Sequence, residues 1–248
     1  METLTIDIGN SCAKLVAFNG CEPVEEVWMC YDNTEVLAAF CSKHAFSQGI
    51  YSTVIPIDDP LAAAISALPF PMTRLIPGVT PVPVINRYAT PATLGADRLA
   101  AAVGAYMESG GGRDILIIDT GTCITYDFVN AAGEYLGGNI SPGPTIRLKA
   151  LNTFTASLPL VSRHGEAPDM GNSTETAIRS GVLKGIKYEI EGYIDAYITK
   201  YPNVLVYLTG GTGDDLHISE KKCIFADKLL VPKGLNYILQ KLIENGKQ

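Results

Sequence analysis

What the chain lacks excludes several classes of protein. It has no run of about 18 or more apolar residues, so a transmembrane helix is not expected. Its start, METLTI, has neither a basic segment nor an uninterrupted apolar core, so it does not resemble a signal peptide. The six cysteines form no CxxC pair and the three histidines are scattered, which argues against a zinc site. The simplest interpretation of the cysteines is free thiols in a reducing cytoplasm.

Positive charge is also scarce. Nineteen Lys and Arg residues stand against 26 Asp and Glu, giving a net charge of −7, which argues against nucleic acid or an anionic membrane as the main partner. No GxxxxGK(S/T) motif occurs, so a Walker-type P-loop is excluded. The hydrophobic fraction is 47%, which is ample for a packed core. The 248 residues allow one large domain or two of roughly 120 residues.

Hydrophobic periodicity predicts mixed strands and helices. The predicted strands are TLTIDIG (3–9), AKLVAFN (13–19), VEEVWMCY (24–31), GIYSTVI (49–55), three within 114–140, and NVLVYLTGG (203–211). The predicted helices are 35–46, 59–68, 92–109, 145–154, 172–201 and a last one with apolar residues at 235, 238, 239, 242 and 243. Asn172 and Glu175 have the spacing of a capping box, and the proline-rich segment 77–91 is a predicted connector.

The two halves of the chain share a local pattern. IDIGNSCAKLVAF (6–18) and IDTGTCITYDFV (118–129) each place an aspartate, one residue and a glycine between two apolar strands. Internal similarity of this kind indicates duplication. We therefore predict an α/β protein with two ribonuclease-H-like halves of βββαβα type, 1–112 and 113–248, facing each other across a cleft. Paired turns of this kind resemble the phosphate-binding loops of the actin, sugar kinase and Hsp70 superfamily.

The first of these turns has the chemistry of a metal–phosphate site. Gly9 allows a close approach to the backbone, Asn10 and Ser11 offer donors, and Lys14 supplies positive charge. Asp7 would contact a phosphate only through a hard cation such as Mg²⁺. A single turn of this composition is equally compatible with an ordinary hairpin loop closed by an Asx hydrogen bond.

A charged pair in an otherwise apolar helix is a second candidate site. Asp97 and Arg98 in GADR precede residues that are almost all small and apolar. They could form a buried structural ion pair. Alternatively, Asp97 orients or deprotonates a hydroxyl while Arg98 binds an anionic or carbonyl group. GGNISPG (137–143) and TGG (209–211) are weaker signals, since either could be simple turn chemistry.

Taken together, these segments resemble the type III pantothenate kinases of bacteria. The motifs that carry the resemblance are DIGNSCAK (7–14), GADR (95–98), IDTGTCITYD (118–127), GGNISPG (137–143), TASLP (155–159), GNSTETAIRSG (171–181), LTGG (208–211) and LLVPKGLN (229–236). They occur in the family's order over nearly the whole length. The chain departs from the family pattern at Ser11, Thr90 and Pro232, and none of these departures removes a proposed functional group.

The resemblance implies a kinase that transfers the γ-phosphate of ATP to the 4′-hydroxyl of pantothenate. Implied ATP contacts are Asp7, Ile8, Gly9, Asn10, Ser11, Cys12, Ala13, Lys14 and Thr122. Implied pantothenate contacts are Tyr88, Gly95, Ala96, Asp97, Arg98 and Thr174. Asp97 would be the catalytic base and Asp119 would bind a monovalent cation, K⁺ or NH₄⁺, beside the Mg²⁺ that accompanies ATP. The resemblance also implies a homodimer.

Two other functions remain open at the level of sequence. An actin-like ATPase would hydrolyse ATP without an acceptor and assemble into filaments. Such a protein would not need an acceptor-binding segment such as GADR. A nucleotide-sensing regulator of transcription would not need the intact acids and Lys14, and the acidic pI of about 5.0 disfavours direct contact with DNA.

Overall fold

The computed structural model describes residues 2–31, 33–57, 59–211 and 224–246. The chain divides into two compact units. The first unit comprises residues 1–113, 129–137 and 229–248, and the second comprises 114–128 and 138–228. These units are defined by packing, so the predicted division between residues 112 and 113 stays a prediction about the duplicated halves of the sequence. No helix in the described part of the chain is long and apolar enough to cross a membrane.

Strands and helices are interspersed along the described residues. The strands are β1 (Glu2–Ile8), β2 (Ala13–Asn19), β3 (Glu22–Met29), β4 (Phe46–Thr53), β5 (Met72–Arg74), β6 (Ile85–Asn86), β7 (Ile115–Thr120), β8 (Cys123–Val129), β9 (Glu134–Pro142), β10 (Leu205–Thr209) and β11 (Ile224–Ala226). The helices are α1 (Glu35–Ser42), α2 (Asp59–Ser66), α3 (Ala96–Glu108), α4 (Pro144–Thr153), α5 (Thr174–Lys200) and α6 (Leu230–Asn245).

The two sheets repeat one strand order. The first sheet has the order β3-β2-β1-β4-β5, and the second has β9-β8-β7-β10-β11 with β6 added beside β9. In each sheet a strand that follows a helix runs parallel to the first strand, as β4 does to β1 and β10 to β7. This shared order bears out the duplication inferred from the paired aspartate–glycine turns.

The first sheet separates an apolar face from a polar one because side chains alternate along each strand. Leu4, Ile6 and Ile8 of β1 are fully buried in a core with residues of α1 and α2. The intervening residues of β1 are Thr3, Thr5 and Asp7. The Thr3 hydroxyl donates a 2.8 Å hydrogen bond to the Asn236 side chain of α6. Asp7, the second-last residue of the strand, therefore lies on the face away from that core.

Helices α3 and α6 approach closely at two glycines. A Cβ added at Gly104 would overlap the carbonyl oxygen of Leu230 and lie 3.2 Å from the Gly234 nitrogen. A Cβ added at Gly234 would overlap the carbonyl oxygen of Ala100. At the other end of α3, Glu108 accepts hydrogen bonds from Lys233 and Tyr237 of α6, at 3.0 and 2.7 Å. This packing holds α3, which carries Asp97 and Arg98 at its start.

The core of the second unit lies between its sheet and α5. Leu116 and Ile118 of β7 and Ile186 and Ile190 of α5 belong to one cluster of buried side chains. Tyr126 of β8 stacks on Tyr193 of α5, with ring centroids 3.8 Å apart. The turn that follows β7 is thereby held by a packed core.

Several predicted boundaries were wrong by a few residues. The helix predicted for 35–46 ends at Ser42, because Phe46 starts β4 and packs against Phe40 and Phe70. The helix predicted for 92–109 begins at Ala96, after a short 3₁₀ turn and Gly95 as N-cap. The predicted connector 77–91 contains β6. The capping box of α5 is formed by Ser173 and Thr176, not by Asn172 and Glu175.

Candidate active site

The turn between β1 and β2 brings an acid and a base side by side. Asp7 and Lys14 are direct partners in the antiparallel ladder, and Ser52 is the partner of Asp7 on β4. The Gly9 N–H donates a 3.1 Å hydrogen bond to the Cys12 carbonyl, and the Tyr31 hydroxyl donates to the Gly9 carbonyl. The turn is therefore closed on itself and also held by Tyr31, which follows β3.

Gly9 is not required by the geometry of that turn. Its φ is not positive, and an added Cβ would meet only the Cys12 carbonyl oxygen, at an ordinary 3.5 Å. Gly121 in the second turn is similar, since its N–H bonds the Cys123 carbonyl at 2.9 Å and an added Cβ would have no contact under 3.7 Å. Both glycines leave open space beside the backbone, which suits the close approach of a ligand.

The Asp7 side chain is half-buried, and its surroundings disfavour its ionised form. Its Oδ1 accepts a 2.8 Å hydrogen bond from the Ser52 hydroxyl. Burial raises the pKa of Asp7 from 3.8 to about 6, the Ser52 hydrogen bond opposes that shift, the charge of Asp97 adds to it, and Lys14 lowers it. Because the folded-state pKa lies above the solvated value, ionised Asp7 costs folding free energy at pH 7, and that cost is absent below about pH 4. A cation beside the carboxylate would offset the cost.

Lys14 is buried although it carries a charge, with only 4% of its surface exposed. Its Nζ lies 3.3 Å from the Glu26 carboxylate and 4.9 Å from the centre of the Trp28 ring. Both partners belong to β3, where Trp28 is the ladder partner of Lys14. Glu26 and Trp28 are themselves about half exposed. The ammonium group is thus anchored at the border between the sheet and solvent.

The remaining residues of the first turn divide into core and surface positions. The side chains of Ile8 and Ala13 are fully buried in the apolar core, so only their backbone groups could contact a ligand. Asn10 and Ser11 are exposed and Cys12 is half-buried. The pKa of the Cys12 thiol is raised, chiefly by burial and also by Cys30 and Asp7. The turn therefore presents polar groups and backbone amides to solvent.

The start of α3 places a second carboxylate near Asp7. The Asp97 Oδ1 accepts a 2.7 Å hydrogen bond from the Arg98 N–H. Gly95 is needed for this geometry, since an added Cβ would lie 2.5 Å from that oxygen. The charge of Asp97 adds to the raised pKa of Asp7, as expected for two carboxylates that repel each other. Ala96, between Gly95 and Asp97, is buried.

An aromatic and cationic wall lies beside that helix start. Arg98 is buried, and its guanidinium carbon is 5.8 Å from the centre of the Tyr88 ring. The Tyr88 ring is 6.1 Å from that of Tyr135 and lies beside Gly137, where an added Cβ would meet it at an ordinary 3.5 Å. The Tyr88 N–H donates a 2.9 Å hydrogen bond to Asn86 Oδ1. Tyr88, Gly95, Asp97 and Arg98 thus belong to one cluster, and their role as pantothenate contacts stays a prediction.

The second unit carries the other predicted residues. Asp119 lies near the end of β7, and a Cβ added at Gly210 would be 2.5 Å from its Oδ1. Gly210 has a φ of +93°, so this close approach requires glycine. The Thr120 hydroxyl donates a 3.0 Å hydrogen bond to the Thr209 carbonyl. The carboxylate of Asp119 is therefore packed against the TGG segment.

A side-chain network not predicted from the sequence supports Thr122. The Gly143 N–H donates a 3.0 Å hydrogen bond to the Thr122 carbonyl. Arg147 holds the adjoining residues, because its side chain donates to the Pro142 carbonyl at 2.7 Å and to the Ser141 hydroxyl at 2.8 Å.

The network continues into the core of the second unit. Arg147 also pairs with Glu189, which accepts a 2.8 Å hydrogen bond from the Tyr126 hydroxyl. The anchoring of GGNISPG against the second turn thus depends on a half-buried acid in α5.

Thr174 is the first residue of α5 and is exposed. The loop before it is fixed by buried Arg179, which donates to the carbonyls of Ser162 and Glu166, both at 2.9 Å, and pairs with Glu175. Thr174 is therefore presented on an ordered helix start.

Sequence inspection missed Ser52, Glu26 and Trp28, which meet the first turn only through strand pairing. Among the described residues, no group of three or more His, Cys, Asp or Glu side chains could hold a metal ion. The residues present fit a cation that arrives with a phosphate ligand, since a single carboxylate such as Asp7 suffices when phosphate oxygens and water complete the shell of Mg²⁺.

Sequence comparisons give the family that the chain resembles. The family model described as type III pantothenate kinase matches residues 3–196. A type III pantothenate kinase from Bacteroides fragilis is 52% identical over 244 residues, covering 98% of this chain and 99% of that protein. One from Phocaeicola vulgatus is 49% identical over 236 residues, covering 95% of this chain and 97% of that protein.

A solved structure shares the fold. The activator of the 2-hydroxyisocaproyl-CoA dehydratase from Clostridium difficile, with bound ADPNP, matches with a TM-score of 0.56 at 14% identity, covering 100% of this chain and 97% of that one. At this identity the likeness concerns the fold alone. Together with the repeated strand order of the two sheets, it confirms the predicted duplicated ribonuclease-H-like, actin-like class.

Proposed function

The chain belongs to the type III pantothenate kinase family and phosphorylates pantothenate in coenzyme A biosynthesis, and we propose that Asp97 binds the acceptor hydroxyl while the turn at Asp7 binds ATP. The phosphoryl group passes from ATP to the 4′-hydroxyl of pantothenate. The observation that supports this assignment is that the charge of Asp97 adds to the raised pKa of Asp7. The phosphate-binding turn and the GADR segment lie in one unit of the fold.

The acceptor side of the site uses the cluster at the start of α3. Asp97 aligns the 4′-hydroxyl and accepts its proton as the phosphoryl group arrives. Arg98 and Tyr88 form the wall against which the carboxylate and amide groups of pantothenate bind, with Gly95 and Ala96 lining the approach. Thr174 contributes a hydroxyl to pantothenate binding. The structural ion-pair alternative for Asp97 does not account for the second acid beside it, which raises rather than relieves the electrostatic cost.

The donor side uses both aspartate–glycine turns. The backbone of residues 8–13 and the side chains of Asn10, Ser11 and Lys14 bind phosphate oxygens, and Thr122 adds a contact from the second turn. Mg²⁺ neutralises phosphate charge when the nucleotide is bound, and Asp7 is the residue that would hold it. Asp119 binds a monovalent cation, K⁺ or NH₄⁺, supported by its packing against Gly210 and by the neighbouring carbonyl of Thr120.

We propose a homodimer located in the cytoplasm, where ATP is available. In the second unit an apolar groove of about 530 Å³ lies between α4 and α5 and is lined by Ile146, Leu151, Phe154 and Val182, among others. Phe154 is 84% exposed in the single chain, and large exposed apolar patches commonly mark interaction surfaces. Sedimentation at micromolar concentration should then give twice the chain mass of 26.5 kDa.

One assay tests the assignment. Purified protein with ATP and Mg²⁺ should release ADP only when pantothenate is present, and omission of K⁺ and NH₄⁺ should lower the rate. ADP release without pantothenate would instead indicate an actin-like ATPase, and no release under any condition would indicate a nucleotide sensor. A rate indifferent to monovalent cations would refute the role given to Asp119 while leaving the kinase assignment intact.

The role of Lys14 makes a separate prediction. Lys14→Ala should raise the KM for ATP by about tenfold or more and leave the KM for pantothenate nearly unchanged, because it removes a charge-assisted contact to phosphate. Steady-state kinetics with each substrate varied in turn measures both values. Lys43→Ala is the matched control, since Lys43 is exposed and pairs with Glu25 instead. Unchanged ATP kinetics in Lys14→Ala would remove Lys14 from the phosphate site.

A further inference from the structure

Strand β3 places a carboxylate in contact with the phosphate-binding lysine. Glu26 Oε2 lies 3.3 Å from Lys14 Nζ, and neither the family motifs nor the proposed mechanism uses Glu26. Alternation along β3 puts Glu26 and Trp28 on one face of the sheet and Glu25 on the other. Glu25 instead contacts Lys43 and His44, at 3.0 and 3.2 Å. Of these two neighbouring acids, only Glu26 therefore contacts Lys14.

The charges around the turn do not favour a bare anion. Two carboxylates lie beside Lys14: that of Glu26, at 3.3 Å from its Nζ, and that of Asp7, its direct partner in the antiparallel ladder. A phosphate that approaches Lys14 must displace Glu26 or remain beside its negative charge. Either event opposes binding, and the opposition grows with the net charge of the ligand. A phosphate that brings its own divalent cation is opposed least.

We propose that Glu26 is a specificity-determining residue that weakens binding of metal-free phosphate anions at Lys14 and so favours the magnesium-chelated nucleotide. The inference rests on the proposed role of Lys14 at the phosphates. Glu26 touches no reacting atom in this scheme; it acts through the ammonium group of Lys14. Its side chain is 46% exposed, so it can turn away into solvent when a chelated nucleotide occupies the site.

The chain offers an equilibrium signal for this site. Trp28 is the only tryptophan in the chain and is 55% exposed, and the Lys14 Nζ lies 4.9 Å from the centre of its ring. A ligand that moves the ammonium group changes the electrostatic environment of the indole ring. Trp28 emission therefore reports binding without turnover, and equilibrium dialysis gives the same dissociation constants independently of any optical change.

The test compares Glu26→Gln with Glu25→Gln, using two ligands. Pyrophosphate in excess EDTA should bind Glu26→Gln about threefold to tenfold more tightly than the wild type, the range expected for loss of a partly exposed ion pair and of its repulsion toward the anion. ATP in excess Mg²⁺, without pantothenate, should change by less than about twofold, since its net charge is smaller. Glu25→Gln should match the wild type with both ligands.

Two different failures can be told apart by a third variant, Lys14→Ala. In the first failure, the wild type binds pyrophosphate, Lys14→Ala loses that binding, and Glu26→Gln binds as the wild type does or more weakly. Glu26 then only positions the lysine, and the inference is overturned. If Lys14→Ala binds both ligands as tightly as the wild type, then Lys14 is not at the phosphate site, and both the inference and the proposed donor site fall. Conservation of a circular dichroism spectrum in each variant establishes that it is folded.

Discussion

Replacement of Asp97 by asparagine is expected to lower kcat by about 10²–10⁴-fold, the range typical of general-base contributions, while binding of ATP with Mg²⁺ stays within a few-fold of the wild type. Phosphoryl transfer usually has a loose transition state, so the hydroxyl needs to be aligned more than it needs a strong base. Asparagine keeps the size of the side chain but cannot accept the proton. Single-turnover kinetics of pantothenate phosphorylation measures the effect on the chemical step.

The same variant has a second readout, the pH dependence of nucleotide binding. Asp97 helps to raise the pKa of Asp7, so removal of its charge should lower that pKa from about 6. If ionised Asp7 is needed for the magnesium nucleotide, binding in the wild type weakens as the pH falls through about 6. In Asp97→Asn the same weakening should occur at a lower pH. Trp28 emission during titrations between pH 5 and 8 would follow the shift.

Two outcomes would contradict this assignment. A folded Asp97→Asn variant with near-normal kcat would show that another group serves the hydroxyl. A binding profile with an unshifted midpoint would show that Asp97 and Asp7 do not interact strongly. The conservative variant Asp97→Glu serves as a control, because it retains the charge and should keep the wild-type midpoint even if kcat falls through misalignment.

The paired turns could be predicted from the sequence because their signals are local. An apolar run into Asp7 or Asp119, followed by glycine and a second apolar run, predicts strand, turn and strand without knowledge of the rest of the chain. The α5 cap was misplaced by one residue because Asn172–Glu175 and Ser173–Thr176 both have the required spacing. Only the backbone conformation at Ser173 selects between them.

The supporting residues could not be predicted, since they meet the site through pairing between distant segments. Ser52 reaches Asp7 only because β4 lies beside β1 in one particular register, and a shift by one residue would turn it to the other face. Glu26 reaches Lys14 in the same way through β3. Arg147 and Glu189 are 42 residues apart and pair only after α4 and α5 have packed. Chemistry in a motif is local, whereas its electrostatic tuning depends on tertiary structure.

The second large effect is expected at Gly234, far from the reacting groups. Gly234→Ala places a methyl group against the Ala100 carbonyl, with the Ala100 carbonyl carbon at 2.7 Å and the Gly104 nitrogen at 2.9 Å. These are backbone atoms of α3, so the helices must separate. Overpacking of this kind typically costs about 1–3 kcal/mol, and contact with backbone favours the upper part of that range. Thermal denaturation followed by circular dichroism should show Tm lower by about 4–12 °C.

Gly192→Ala is the matched control for that prediction. Gly192 is exposed in the middle of α5, and an added Cβ has no neighbour within 4 Å. Alanine is the better helix former by about 1 kcal/mol, so this variant should have an equal or higher Tm. Because α3 carries Asp97, Gly234→Ala should also lower kcat at temperatures where it remains folded, whereas Gly192→Ala should not. If both variants melted like the wild type, the close packing of α3 on α6 would be refuted, and with it the structural basis for the position of Asp97.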